Sequence, residues 1–216
     1  MVRSIYTIAL LVCIAASPLA KANLIENGGF EDNDVSQNTW RWYTSDNVNG
    51  WSGSTVEIWD TFLGVTAVDG SQFAELNAHG NNGQQFSIFQ TFDTRVNGLY
   101  NLSFYYQARR NTNEKFEVAL NSNGNSLFSQ IMDDHVRNSW SFFSTQFRAV
   151  STMTTLSFTS ITPYSGTVGN FIDSVSVTSS IRPQASVSEP ATLMVSLLGI
   201  FGLAITHYTR RRKHLS

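Results

Sequence analysis

A single cysteine, Cys13, occurs in 216 residues, so everything from Asn23 onward is free of it. No disulfide can staple that stretch, and its stability has to come from a packed core or from bound metal. Charge is also sparse. Only 14% of residues are Asp, Glu, Lys or Arg, and with abundant Asn, Ser, Thr and Gly this excludes a coiled coil. Positive charge is scarcest where it would matter most. All 16 acids lie between Glu26 and Glu189, whereas Arg3, Lys21, Arg210, Arg211, Arg212 and Lys213 lie outside that span. Within it 16 acids face 8 bases, a net −8 against −2 for the whole chain. Affinity for duplex nucleic acid comes from neutralising phosphates with Lys and Arg, so a nucleic-acid partner is excluded. The HExxH, GxSxG, Walker and Rossmann patterns are absent too. Aromatic residues, in contrast, are plentiful: 15 Phe, 5 Trp and 7 Tyr, enough to bury a core and to exclude a disordered chain.

The two ends read as addresses. Arg3, the apolar run Ile5 to Ala16 and the small-x-small triplet Ala20-Lys21-Ala22 form the three parts of a secretory signal peptide over residues 1–22, with cleavage expected between Ala22 and Asn23. An uncleaved anchor is the alternative. Near the other end, an apolar run from Ala191 to about Tyr208 is long enough for one transmembrane helix. Arg210-Arg211-Arg212-Lys213 follows and would stay on the cytoplasmic side. Ser188-Glu189-Pro190 precedes the run. This order of a Glu-Pro element, one helix and a basic cluster resembles the PEP-CTERM sorting tail of Gram-negative bacteria over residues 188–216, with Ser188 where that family has its first proline. The resemblance implies an exported protein that is first held in the inner membrane by its C-terminal helix. A transient partner, an exosortase, would then process it and release it to the cell surface or the extracellular polysaccharide matrix. The logic is that of a lipid-anchor signal, in which a hydrophobic tail is an address that the mature protein lacks. Without an exosortase, the tail would remain as an anchor. Residues 181–187 read as a linker.

Between these ends the hydrophobic period is two. Tyr100, Leu102, Phe104 and Tyr106 alternate with polar neighbours, as do Phe116, Val118 and Leu120, then Phe143, Thr145, Phe147 and Ala149, then Leu156 and Phe158. In the last such segment Phe171, Asp173, Val175 and Val177 share one face, opposite Ile172, Ser174 and Ser176. Alternation of this kind marks half-buried strands. Turn signals separate the strands at Val96-Asn97-Gly98, Asn121 to Asn125 and Thr162 to Gly166, and no helix-period segment intervenes. The expectation for residues 23–180 is an all-β domain, an antiparallel β-sandwich of the jelly-roll type.

Asn23-Leu24-Ile25-Glu26-Asn27-Gly28-Gly29-Phe30-Glu31, Asn49-Gly50-Trp51, Asp69 to Leu76, Phe147-Arg148-Ala149, Leu156-Ser157-Phe158 and Gly169 to Val177 form an ordered set. It resembles galactose-binding-like jelly-roll domains, including carbohydrate-binding modules, with the first of these segments as their opening strand. The Gly-Ser-Gln-Phe segment is similar to a related domain of plant cell-wall and bacterial surface proteins. The resemblance implies a structural calcium shared by the positions of Glu31 and Asp173. Gly29 could add a carbonyl, and Asp69 or Gln72 could complete the set, in keeping with calcium's preference for six to eight oxygens. Asp173 has support of its own, since an unpaired carboxylate among buried neighbours is costly. Pairing with arginine or with backbone N–H groups is the alternative.

Catalysis has little to stand on. His79 and His135, the only histidines between the two ends, sit in polar, loop-like settings that suit solvated turns, and Asp133-Asp134 suits an exposed turn. The expected protein is not an enzyme. For glycan binding the tools are aromatic faces that stack on sugar rings and amides that bond hydroxyls. Trp40 and Trp42 share a face if Trp40-Arg41-Trp42-Tyr43 is extended within its polar, loop-like region, and Trp59 and Tyr164 are further candidates. Asn81, Asn82, Gln84 and Gln85 supply amides, while Trp51 and Trp140 suit core packing. The functional expectation is association with exopolysaccharide. The alternative is a structural or adhesive surface protein that binds other proteins or itself.

Overall fold

A computed structural model of the chain describes residues 22–110, 114–134 and 136–180. The signal segment up to Lys21, His135, the linker and the sorting tail lie outside the described residues. Ala22 and Asn23, the expected cleavage pair, are both exposed.

The described residues form eleven antiparallel strands: β1 (Thr39–Tyr43), β2 (Ser52–Gly53), β3 (Val56–Asp60), β4 (Gln72–Glu75), β5 (Ser87–Asp93), β6 (Leu99–Ala108), β7 (Lys115–Ser122), β8 (Asn125–Met132), β9 (Ser141–Arg148), β10 (Met153–Thr162) and β11 (Asn170–Ser179). They build a six-stranded sheet, β1-β3-β4-β11-β6-β9, and a five-stranded sheet, β2-β5-β10-β7-β8. From β4 onward the chain passes between the sheets at every connection except the β7–β8 hairpin, as in a jelly-roll sandwich. The inward faces interlock through aromatics: Phe104 meets Phe158 edge-on at 5.1 Å, Phe116 tilts against both, and Trp51 stacks on Phe30 at 5.2 Å. Trp51, expected in the core, is buried there.

Three local expectations change. Residues 24–33 form turns rather than an opening strand, with Asn27 and Phe30 at positive φ. Leu24 N donates to Val177 O and Val175 N to Gly28 O, so the segment is clipped to β11 without joining a ladder. Residues 40–43 are an edge strand of the six-stranded sheet rather than a loop. The face assignment in β11 also shifts. Its register is interrupted between Asp173 and Ser176, with Ser174 at φ 51°. The irregularity reverses the alternation, so that Phe171 points outward while Ile172, Val175 and Val177 enter the core between the sheets.

Candidate functional site

In β3 and β4 every residue is buried on both faces. Val56, Ile58 and Ala74 enter the main core, whereas Trp59 and Phe73 face outward and meet Phe171 in a second apolar cluster. The ladders align Trp42, Glu57, Glu75, Phe171 and Gln107 in one row across the outer face, and Trp40, Trp59 and Phe73 in the next. Residues 61–67 cover the apolar cluster. Phe62 lies 5.0 Å from Trp59, and Trp140 Nε1 donates to Thr66 O at 2.9 Å. Trp59 is therefore sealed, and the expectation that it stacks on a sugar is corrected: it is part of the floor.

Glu57 and Glu75 are adjacent across β3 and β4, and both are fully buried. Arg109 Nη1 donates to Glu75 Oε1 and Oε2 at 2.6 and 2.8 Å and to Thr167 O, while its guanidinium lies 4.7 Å above the Trp59 ring. Gly169 N also donates to Glu75. A Cβ at Gly169 would lie 1.9 Å from Leu76 O, so only glycine lets this backbone approach. Burial, with the neighbouring Glu57 charge adding to it, pushes the Glu75 carboxyl well above the usual range against the opposing pull of Arg109.

Glu57 accepts from Trp59 Nε1 at 3.0 Å, from His79 N at 3.2 Å, and pairs with His79 Nδ1 at 2.7 Å. His79 is thus not a free turn histidine. It is fixed by a buried carboxylate and stacked on Trp40, with ring centroids 4.7 Å apart. Nothing in the local sequence pairs His79 with Glu57, which lies 22 residues away. Beside them Trp42 is 44% exposed against Gly80. Asn77 Nδ2 donates to Pro163 O and Val168 O, which ties the loop carrying exposed Tyr164 to the same end of the face. Asn77 Oδ1 and Gln107 Oε1 are buried without a hydrogen-bond partner. Asn81 and Gln85 use their amides to bond Gln84 O and Ser160 O, bracing their own loop.

The residues expected to hold calcium converge in part. Glu31 Oε1 accepts from Ser71 N and Gln72 N at 2.8 and 2.7 Å, and Asp173 Oδ2 accepts from Val68 N at 2.6 Å. A Cβ built on Gly29 would lie 3.7 Å from Glu31 Cγ and 4.0 Å from Asp173 Oδ1. Burial drives the Asp173 carboxyl up to about 6 despite these backbone donors, with Glu31 adding to the rise. Gln72 leaves the set, because its side chain is committed to Val35 N and Phe30 O. Asp69 caps Gly70 N. Among the described residues no three His, Cys, Asp or Glu side chains surround one point. A cation here would have to take the remaining oxygens of Glu31 and Asp173, with carbonyls and water completing its shell.

Residues 23–178 match the family described as "Protein of unknown function (DUF642)". Halomucin of Haloquadratum walsbyi (strain DSM 16790 / HBSQ001) is 30% identical over 191 residues, covering 78% of this chain and 2% of that protein. The chain therefore spans a small fraction of the curated relative it matches. Among solved structures, TmCBM61 in complex with β-1,4-galactotriose is 17% identical with a TM-score of 0.48, over 73% of this chain and 99% of that one. The CBM22-1 xylan-binding domain from Paenibacillus barcinonensis Xyn10C is 11% identical with a TM-score of 0.45, over 76% and 97%. Likeness at this level leaves the ligand open, since one fold hosts many chemistries.

Proposed function

The chain belongs to the DUF642 family, whose description assigns no activity, and from that premise we propose that it is an exported, non-enzymatic surface or matrix protein that binds exopolysaccharide. The proposed glycan site is the β1 end of the outer face of the six-stranded sheet. One observation carries this reading: Trp40 and Trp42 stand on one face of an edge strand, and Trp40 is braced by a histidine that a buried carboxylate holds in place. A pre-ordered aromatic surface loses little entropy when a sugar ring stacks on it. Tyr164 would add a rim contact. Both Glu57 and Glu75 are saturated with donors, which suits a binding floor better than acid–base chemistry. Calcium held by Glu31, Asp173 and the Gly29 carbonyl would stabilise the neighbouring loop, with Asp69 at its edge. The proposed route to the matrix is exosortase processing at Ser188-Glu189-Pro190.

Affinity electrophoresis of residues 23–180 in the host exopolysaccharide, with calcium and then with chelator, tests the reading. Retardation is expected, and Trp42→Ala should weaken it about tenfold or more while melting stays unchanged. Free migration of the folded domain in both gels would overturn glycan binding. Equal retardation of Trp42→Ala would move the site elsewhere.

A further inference from the structure

Two long edge strands, β8 and β9, border the same side of the sandwich. Their sixteen residues include one charged side chain, Arg148, at the end of β9. The other edges are protected in the usual ways: β2 is two residues long, and β1 is five residues long and carries Arg41. β8 has none of these protections. Asn125-Ser126-Leu127-Phe128-Ser129-Gln130-Ile131-Met132 has no charge, proline or glycine, pairs only with β7 among the described residues, and is exposed over most of its length. Its one protection is a bulge at Leu127, near the turn end, beyond which Phe128 to Met132 keep regular register with β7. An edge with a free row of N–H and C=O groups and no charge is a template for another strand.

We infer that β8 is a self-pairing edge, through which two copies of this chain join by antiparallel β8–β8 addition and continue the five-stranded sheet across the pair. Charge selects the occupant and its direction. The domain carries a net −8, so copies repel over most of their surface, and β8 is a stretch where they can meet without opposing charges. Exposed Asp133 and Asp134 follow the strand directly, whereas uncharged Asn123-Gly124 precedes it. Antiparallel pairing about a two-fold axis sets the acids of one copy against the neutral turn of the other, and parallel pairing would stack acids on acids. Ile131, 51% exposed on the outer face, gains cover in the pair. A single strand edge buries far less than the ~800 Å² per partner of a stable dimer. Pairing is therefore weak in solution and strengthens where copies are crowded at a surface. None of this rests on the glycan reading.

Among the described residues the main core falls within 25–177, and the two ends of that span are bonded together through Leu24 N and Val177 O. Residues 23–180 are accordingly a folding unit suited to the test, with the full chain in detergent as a parallel sample. Sedimentation velocity over a concentration series should show wild type passing from monomer to dimer. Gln130→Lys and, on the opposite strand face, Ile131→Lys should each weaken this at least about tenfold with unchanged melting. Wild-type amide exchange over Asn125–Met132 should slow as concentration rises, while exchange over Thr39–Tyr43 should not. A wild-type monomer at every concentration, a dimer that both lysine variants leave intact, or β8 exchange indifferent to concentration would each overturn the proposal. The exchange arm needs no variant to fold.

Discussion

Asp173 shows what a single buried carboxylate does to this domain. Its surroundings favour the protonated form, lifting the group from 3.8 to about 6. A raised carboxylate contributes stability that is fully present below its unfolded value and is lost as pH rises through its folded one. In chelator, melting temperature should therefore fall between pH 4 and pH 6, by up to about 3 kcal/mol of stability. Asp173→Asn should make that slope shallower, leaving the part that the raised Glu75 carboxyl contributes. Calcium should reverse it, because the ion favours the ionised form; the same slope with and without calcium would remove the ion from the proposal. The sequence showed that a carboxylate among buried neighbours needs partners, but not that the N–H groups of Val68 and Asp69, over a hundred residues away, would supply them. Trp59 was illegible for a related reason. Its neighbours in sequence are ordinary for a strand, and only the loop over it decides that its ring is sealed rather than free.

At the level of elements, periodicity located β6, β7, β9 and β10 because a half-buried strand writes its two faces into alternate residues. It failed where strands are buried on both faces. In β3 and β4 the polar alternates Glu57 and Glu75 read as solvent-facing although both are fully buried, so their pairing was invisible until the ladder aligned them. Alternation also misled in β11, where an irregularity swaps faces midway. The N-terminal turns depend on that same strand. A Cβ at Gly28 would lie 2.0 Å from Val175 O, the residue whose N–H bonds Gly28 O. Gly28→Ala should thus displace the clip and destabilise the domain by about 1–3 kcal/mol in thermal or urea unfolding. A variant within experimental error of wild type would show that residues 24–30 contribute little to the fold.

For the whole molecule, composition and the chain ends carry most of the functional argument. If residues 188–216 act as the proposed sorting tail, their deletion should leave the domain's melting temperature unchanged while altering where the protein fractionates in the host. Unchanged fractionation would sink the sorting proposal. The sequence by itself determined the all-β class, the cysteine-free and acidic character of the domain and its supply of aromatics, because each follows from composition or short-range pattern. Only the tertiary structure decided which aromatics are floor and which are surface, that His79 and Arg109 tie down two buried glutamates, and that β8 is an edge strand among the described residues. Those facts depend on which strands become neighbours, and neighbours in a jelly roll are separated by tens of residues along the chain.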